Sequence, residues 1–137
     1  MADRVRKVAY FKVRASNSAG QGARLLEGLQ EEGVNLLAFS GFPRNGRAQI
    51  DFVPENTGTF LKAARKLGLT LSKKKAGFLV QGQDRIGAVG KTMRKLADAR
   101  INVTAIDALC AGKGRFGAIL WVKPAKVSKA ARVLRAS

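Results

Sequence analysis

Shifted by 67 residues, the sequence meets itself: Phe11, Val13, Gly20, Leu29, Asn35, Ala38, Ala63, Ala64, Arg65 and Leu67 fall on Phe78, Val80, Gly87, Leu96, Asn102, Ala105, Ala130, Ala131, Arg132 and Leu134. The matches are apolar strand and helix positions plus one glycine and one asparagine, so a packed core and one particular turn have been used twice. A chain of 137 residues built this way makes two half-size units or one fused pair.

The pattern within each copy gives the elements. Val8–Arg14 reads as a strand that runs into the turn Ala15–Gly20. Gly22–Glu32 reads as a helix, with Leu25, Leu26 and Leu29 at helical spacing and Gly33 as its stop. Val34–Phe39 is a second strand, and Asn45-Gly46 is a hairpin signal because both residues tolerate the positive φ of a type I′ turn. Ala48–Val53 is then the third strand, and Thr57 or Thr59 caps a helix through Leu67 that Gly68 ends, with Phe60, Ala64 and Leu67 on one face. Leu69–Lys74 completes a strand-helix-strand-strand-helix-strand order.

The second copy repeats this order with Gly77–Gln81, a helix from Ile86 or Gly87 to Ala99 that turns Val89, Met93 and Leu96 inward, Ile101–Ile106, a Gly112–Gly114 hairpin, Arg115–Val122 and a helix Ala125–Arg135. The expected fold is α+β: two tandem ferredoxin-like βαββαβ units, 1–74 and 75–137, the second lacking its own fourth strand. Its first strand then needs cover for one edge, from the fourth strand of the first copy, another chain or a loop. Lys73, Lys74 and Lys75 at the junction read as charges that discourage wrong edge pairing.

Composition narrows the chemistry. There is no histidine and one cysteine, Cys110, so an intramolecular disulfide, cysteine clusters, the common zinc and copper sites and histidine acid-base catalysis are all excluded. Cys110, between Leu109 and Ala111, reads as a small buried or turn-flanking residue rather than a nucleophile. No catalytic residue, metal site or cofactor is expected. No stretch reaches the roughly 18 apolar residues of a membrane span, and no signal-length apolar run follows Arg4, Arg6 and Lys7, so a cytoplasmic protein without a membrane partner is the expectation. The formal charge of +17 is uneven: residues 1–70 carry 11 basic against 6 acidic side chains, residues 71–137 carry 15 against 3. Such a surplus draws polyanions, acidic partners or small anions.

The duplicated turn is the candidate site. Gln83–Gly87 and Ser16–Gly20 occupy the same place between first strand and first helix, with Asp84 matching Asn17 and Gly87 matching Gly20. The N–H groups that open a helix lack intrahelical partners and hold a carboxylate or phosphate without a charged side chain. A nearby Asp or Asn accepts from an ammonium or amide. Helix capping and tight turning by glycine explain the same residues without any ligand.

Asp84, Arg85 and Gly87, followed by Ile101, Asn102 and Val103, resemble the ACT domain, and Asn17, Gly20, Val34, Asn35 and Leu36 resemble a second copy of it. The resemblance implies βαββαβ regulatory modules of amino-acid metabolism that work in pairs and bind an amino acid where the turn of one unit faces the second strand of its neighbour. It implies ligand contacts at Asp84, Arg85, Ile86, Gly87 and Asn102, and at Asn17, Ser18, Gly20 and Asn35. It implies a non-catalytic sensor, a homodimer and a protein partner under regulation. The proline common before the family glycine is Ile86 in one copy and Ala19 in the other, and Asn17 in place of Asp predicts two sites of unequal affinity.

The alternative is a basic nucleic-acid-binding protein, since RNA-recognition domains share this element order and stack bases on strand aromatics. Phe78, Phe116 and Trp121 lie on the corresponding strands, but Phe116 and Trp121 are five apart and point to opposite faces. Gly87–Thr92 fails as a phosphate-binding loop because Arg85 stands where its first glycine belongs. Lys126, Lys129, Arg132 and Arg135 read as the solvated face of the last helix.

Overall fold

The computed structural model describes residues 3–137. In chain order it contains β1 (Arg4–Ser16), α1 (Gln21–Glu31), β2 (Leu36–Arg44), β3 (Arg47–Pro54), α2 (Thr57–Leu67), β4 (Lys75–Gln83), α3 (Ala88–Asp98), β5 (Val103–Gly112), β6 (Arg115–Val122), a 3₁₀ turn (Pro124–Lys126) and α4 (Val127–Leu134). Two compact units result. One is Ala9–Lys75; the other joins the residues up to Val8 to Ala76–Ser137.

In the Ala9–Lys75 unit, β3 lies between β2 and β1, antiparallel to both, with Phe11 opposite Phe52 and Phe39 opposite Phe52. The period-2 alternation of β1 sends Phe11, Val13 and Ala15 to one face, where they meet Leu25 and Leu29 of α1 and Phe60 and Ala63 of α2. The centre of this core is aromatic. The Phe11 and Phe60 rings stack with centroids 5.3 Å apart, and Phe52 lies 5.6 Å from Phe60. The helix cap is Asn56 rather than either threonine: its Oδ1 accepts from the Thr59 N–H at 2.9 Å. Leu67, expected inward, is 38% exposed, because it spans the crossing of the two helices. A β-carbon on Gly28 would lie 3.0 Å from its Cδ2, so the missing side chain is what lets α1 and α2 close.

The second unit repeats the plan with β6 between β4 and β5, and Phe78 opposite Leu120. Its core is Phe78, Val80, Leu96, Leu120, Ala130 and Leu134. Thr92 is buried on α3 beside half-buried Met93. The last helix, expected as one element from Ala125, opens as the 3₁₀ turn with Pro124 in its first turn. Both hairpins use two-residue loops with positive φ, Asn45-Gly46 and Lys113-Gly114. The second was expected to take three residues. A register shift between Cys110 and Gly112 accounts for the extra one.

The fourth strand departs most from expectation. Leu69–Lys74 forms no strand: its contribution is a single antiparallel bridge from Leu71 to Val13, supported by the Ser72 N–H donating to the Lys12 carbonyl at 3.0 Å. The free edge of β4 is covered by neither another fourth strand nor a loop. The start of β1, Arg4–Val8, lies beside β4 and completes the second unit. This segment is pinned at several points. Val5 packs on the second core, Lys7 N–H donates to the Ser137 carbonyl and Ser137 N–H donates to the Val5 carbonyl, both at 3.0 Å. Asp3 makes a two-pronged ion pair with Arg85 at 3.0 and 3.1 Å. In each unit the fourth-strand position is therefore filled by the segment that leads into the other unit's first strand.

Candidate functional site

Both duplicated turns close in the same way. Gly20 and Gly87 stand at the start of α1 and α3 with φ of 86° and 81°, a left-handed conformation that glycine adopts without strain. Gln21 N–H donates to the Ser18 carbonyl at 3.3 Å in one copy, and Ala88 N–H to the Arg85 carbonyl at 3.2 Å in the other. Neither helix has a side-chain cap. The first-turn N–H groups and the positive end of the helix dipole are thus turned outward, which suits an anion.

A cleft of about 310 Å³ opens at the second turn. It is bounded by Asp84, Arg85 and Gly87, by the first turn of α3, and by Ala108, Leu109 and Cys110 of β5. The equivalent cleft of the first unit, about 320 Å³, is bounded by Asn17, Ser18 and the first turn of α1, and by Phe39, Gly41, Phe42 and Pro43 of β2. The repeat therefore extends to the concave surface beside each turn.

The structure brings together Asp84, Arg85 and Gly87 in one cleft and Asn17 and Ser18 in the other. Gly20 stands at the start of α1 beside the first cleft. The Ile86 side chain is fully exposed and points away from any packing. Asn35 and Asn102 line neither cleft of their own unit. They precede β2 and β5, whereas the clefts use the later parts of these strands; Asn35 Nδ2 instead donates to Glu55 at 3.0 Å.

The charged groups of the second cleft are already oriented. Asp84 N–H donates to the Gly114 carbonyl at 2.8 Å, tying the turn to the β5–β6 hairpin. Arg85 faces Asp3 and also donates to the Gln83 carbonyl at 2.9 Å, so it steadies the turn. The Cys110 thiol donates to Asp84 Oδ2 at 3.3 Å. Of the two expected settings, buried or turn-flanking, Cys110 has the second: it is exposed near the end of β5, before the hairpin, and no residue type marked this pairing in the sequence. The hydrogen bond to Asp84, then its negative charge, hold the thiol above its ordinary pKa. The group stays protonated and is a poor nucleophile. Replacing Asp84 by Asn removes the charge, lowers the thiol pKa and raises the thiolate fraction. Alkylation of Cys110 by iodoacetamide at mildly alkaline pH is expected to speed up severalfold in Asp84→Asn, read by mass spectrometry; an unchanged rate would contradict the pairing.

The two clefts differ in chemistry. One presents a carboxylate beside an apolar strand end; the other presents neutral Asn17 and Ser18 beside Phe39, Phe42 and Pro43. An ammonium group therefore finds a charged partner in the second unit only. The aromatics of the nucleic-acid alternative are withdrawn from solvent, with Phe78 0% and Phe116 and Trp121 each 5% exposed, so they form no base-stacking platform. No helix among the described residues is long and apolar enough to cross a membrane.

No family model matches the sequence, and no curated protein matches it. Solved structures do match in fold. A protein from Bacteroides thetaiotaomicron aligns over 96% of this chain and 88% of its own, with a TM-score of 0.82 at 14% identity. The regulatory subunit of aspartate kinase from Thermus thermophilus aligns over 98% and 93%, with a TM-score of 0.65 at 16% identity. That from Thermus flavus aligns over 98% and 94%, with a TM-score of 0.61 at 18% identity. Both units, in order, are thus covered by proteins whose sequences have almost nothing else in common with this one. The chain has the tandem ACT-like fold, the fold of these aspartate kinase regulatory subunits.

Proposed function

We propose that the chain is a non-catalytic regulatory protein that binds a small molecule with an amino-acid headgroup, at the Asp84–Gly87 turn first and at Asn17–Gly20 more weakly. The observation that carries this reading is the juxtaposition, within one cleft, of the Asp84 carboxylate and the uncapped start of α3. An α-ammonium pairs with the first and an α-carboxylate with the second. The fold match to regulatory subunits of an amino-acid-metabolic kinase supports the same class of role. Arg85 acts by holding the turn against Asp3. Asn35 and Asn102 lie outside the clefts of their own units, so we assign them to ligand contacts made on a partner chain in a homodimer. Ligand binding would favour the liganded assembly, and through it a target protein, only by its differential affinity.

Thermal denaturation in the presence of each of the twenty amino acids tests the reading. A ligand at a hundred times its Kd stabilises by about 2.7 kcal/mol, well within detection. One or a few amino acids are expected to raise the melting temperature, and Asp84→Ala is expected to abolish most of that rise while leaving the unliganded melting temperature nearly unchanged. No response to any amino acid in the parent chain, or an undiminished one in Asp84→Ala, would sink the proposal.

A further inference from the structure

The Ala9–Lys75 unit carries a second concavity, unrelated to the turn clefts. It lies on the sheet face opposite its helices: alternation along β1 buries Phe11, Val13 and Ala15 under α1 and α2 and sends Lys12 and Arg14 the other way. The cleft there measures about 690 Å³ and is bounded by Lys12, Arg14, Arg44, Arg47 and Gln49, with residues 70–72 along one side. Arg44 and Arg47 are the last cross-strand pair before the Asn45-Gly46 turn, and Arg14 stands opposite Gln49. Like charges placed directly opposite one another repel. Lys75 adds a fifth cation close enough to act on Lys12.

Little neutralises this cluster. None of the five cations makes an ion pair within 4 Å among the described residues, where the pairs present are Lys66–Glu32, Arg85–Asp3 and Arg94–Asp98. The acid facing the cluster is Asp51, opposite Lys12 in register, and it is buried. Burial, then Lys75, pull the Lys12 ammonium below its ordinary pKa, while burial is the main cause that raises Asp51. The repulsion that Lys12 meets from Lys75 and Arg44, and the opposing pull of Lys12, Lys75 and Arg44 on Asp51, mark a local excess of positive charge on this face.

Three planar guanidinium forks around a cleft within the size range of small-ligand sites match the several charged oxygens of a phosphate chain better than a single carboxylate. We infer that this cleft binds an oligophosphate, a di- or triphosphate chain, held by Arg14, Arg44 and Arg47 with Lys12 at its deeper side. The phosphate chain is the recognised group, whether free or carried by a nucleoside.

Titration calorimetry on the full chain in about 150 mM KCl, where weak surface electrostatics are screened, tests this with inorganic triphosphate, ATP and adenosine as probes. Triphosphate and ATP are expected to bind and adenosine not to; equal affinity for the first two means a free chain is sufficient, and tighter ATP means the nucleoside adds to it. The Arg14→Gln, Arg47→Gln double variant is expected to bind triphosphate at least about tenfold more weakly, whereas Lys129→Gln, Arg132→Gln on α4, which removes the same charge elsewhere, is expected to bind as the parent does. All four side chains are exposed, so both proteins should fold. Arg44→Gln, also exposed, gives an independent reading should the double variant misfold. Absence of binding by triphosphate, equal weakening in both double variants, or a single-stranded RNA oligonucleotide that binds while triphosphate does not would overturn the inference.

Discussion

Removal of residues 1–8 is expected to unfold the unit that contains the sole tryptophan, although that unit lies mostly in the C-terminal half of the chain. Arg4–Val8 is its edge strand beside β4, and nothing else among the described residues occupies that position. Loss of the half-buried Val5 side chain costs about 1 kcal/mol in burial. Each backbone group of β4 left inside the structure without a partner costs about 1–3 kcal/mol more. A unit of about seventy residues has only about 4–10 kcal/mol in hand, so a few such losses exhaust it. The Asp3–Arg85 pair and the two Ser137 hydrogen bonds go at the same time. Trp121, 5% exposed in this unit, is the reporter. Its emission in the truncated chain is expected to be that of a solvated indole without denaturant, and a synthetic peptide of residues 1–12 is expected to restore the buried spectrum in part. A urea midpoint equal to that of the parent would show that the segment is dispensable.

What the sequence disclosed and what it hid separate along the range of the interactions. Gly20, Gly87 and Asn45-Gly46 were readable because a positive φ is a local demand that few residues meet. The cores were readable because Phe11, Val13, Phe78 and Val80 keep strand period and Leu29 and Leu96 keep helix period. The beginning of β1 was not. Arg4, Arg6 and Lys7 break the apolar alternation, and the reason these residues are extended lies in β4, more than sixty residues away. The same distance hid the reduction of Leu69–Lys74 to one bridge. At the candidate site the turn was legible and its wall was not. Asp84 stands in a recognisable motif, but Leu109 and Cys110 belong to a strand end whose position depends on the bulge before the hairpin. The asparagines show the converse: a clear repeat match placed Asn35 and Asn102 among the site residues, while the fold sets them at the opposite ends of β2 and β5 from the clefts.

Phe60→Ala is expected to have the other large effect, and to show that the duplicated cores are built differently. Phe60 is fully buried on α2 and touches the rings of Phe11 and Phe52 at 5.3 and 5.6 Å. At the matching position of the second unit stands Val127, half-buried, so that core closes without an aromatic helix residue. Truncation of a buried phenylalanine costs about 3–5 kcal/mol, the lost transfer energy plus the cavity left between rings that do not collapse fully. A loss of that size is comparable with the whole stability of a unit this small. Urea unfolding followed by two probes locates it. Far-ultraviolet circular dichroism reads both units, whereas Trp121 reads the second. In Phe60→Ala the dichroism transition is expected to begin at much lower urea while the tryptophan transition moves less, because the cavity lies in the Ala9–Lys75 core and leaves the contacts of Phe78, Leu96 and Leu120 in place. Val127→Ala, which removes a smaller and partly exposed group from the other core, is expected to shift the tryptophan transition by about 1 kcal/mol or less. Coincident shifts of both probes in Phe60→Ala would instead mean that the two cores melt as one, with the strand that runs through both as the element that couples them.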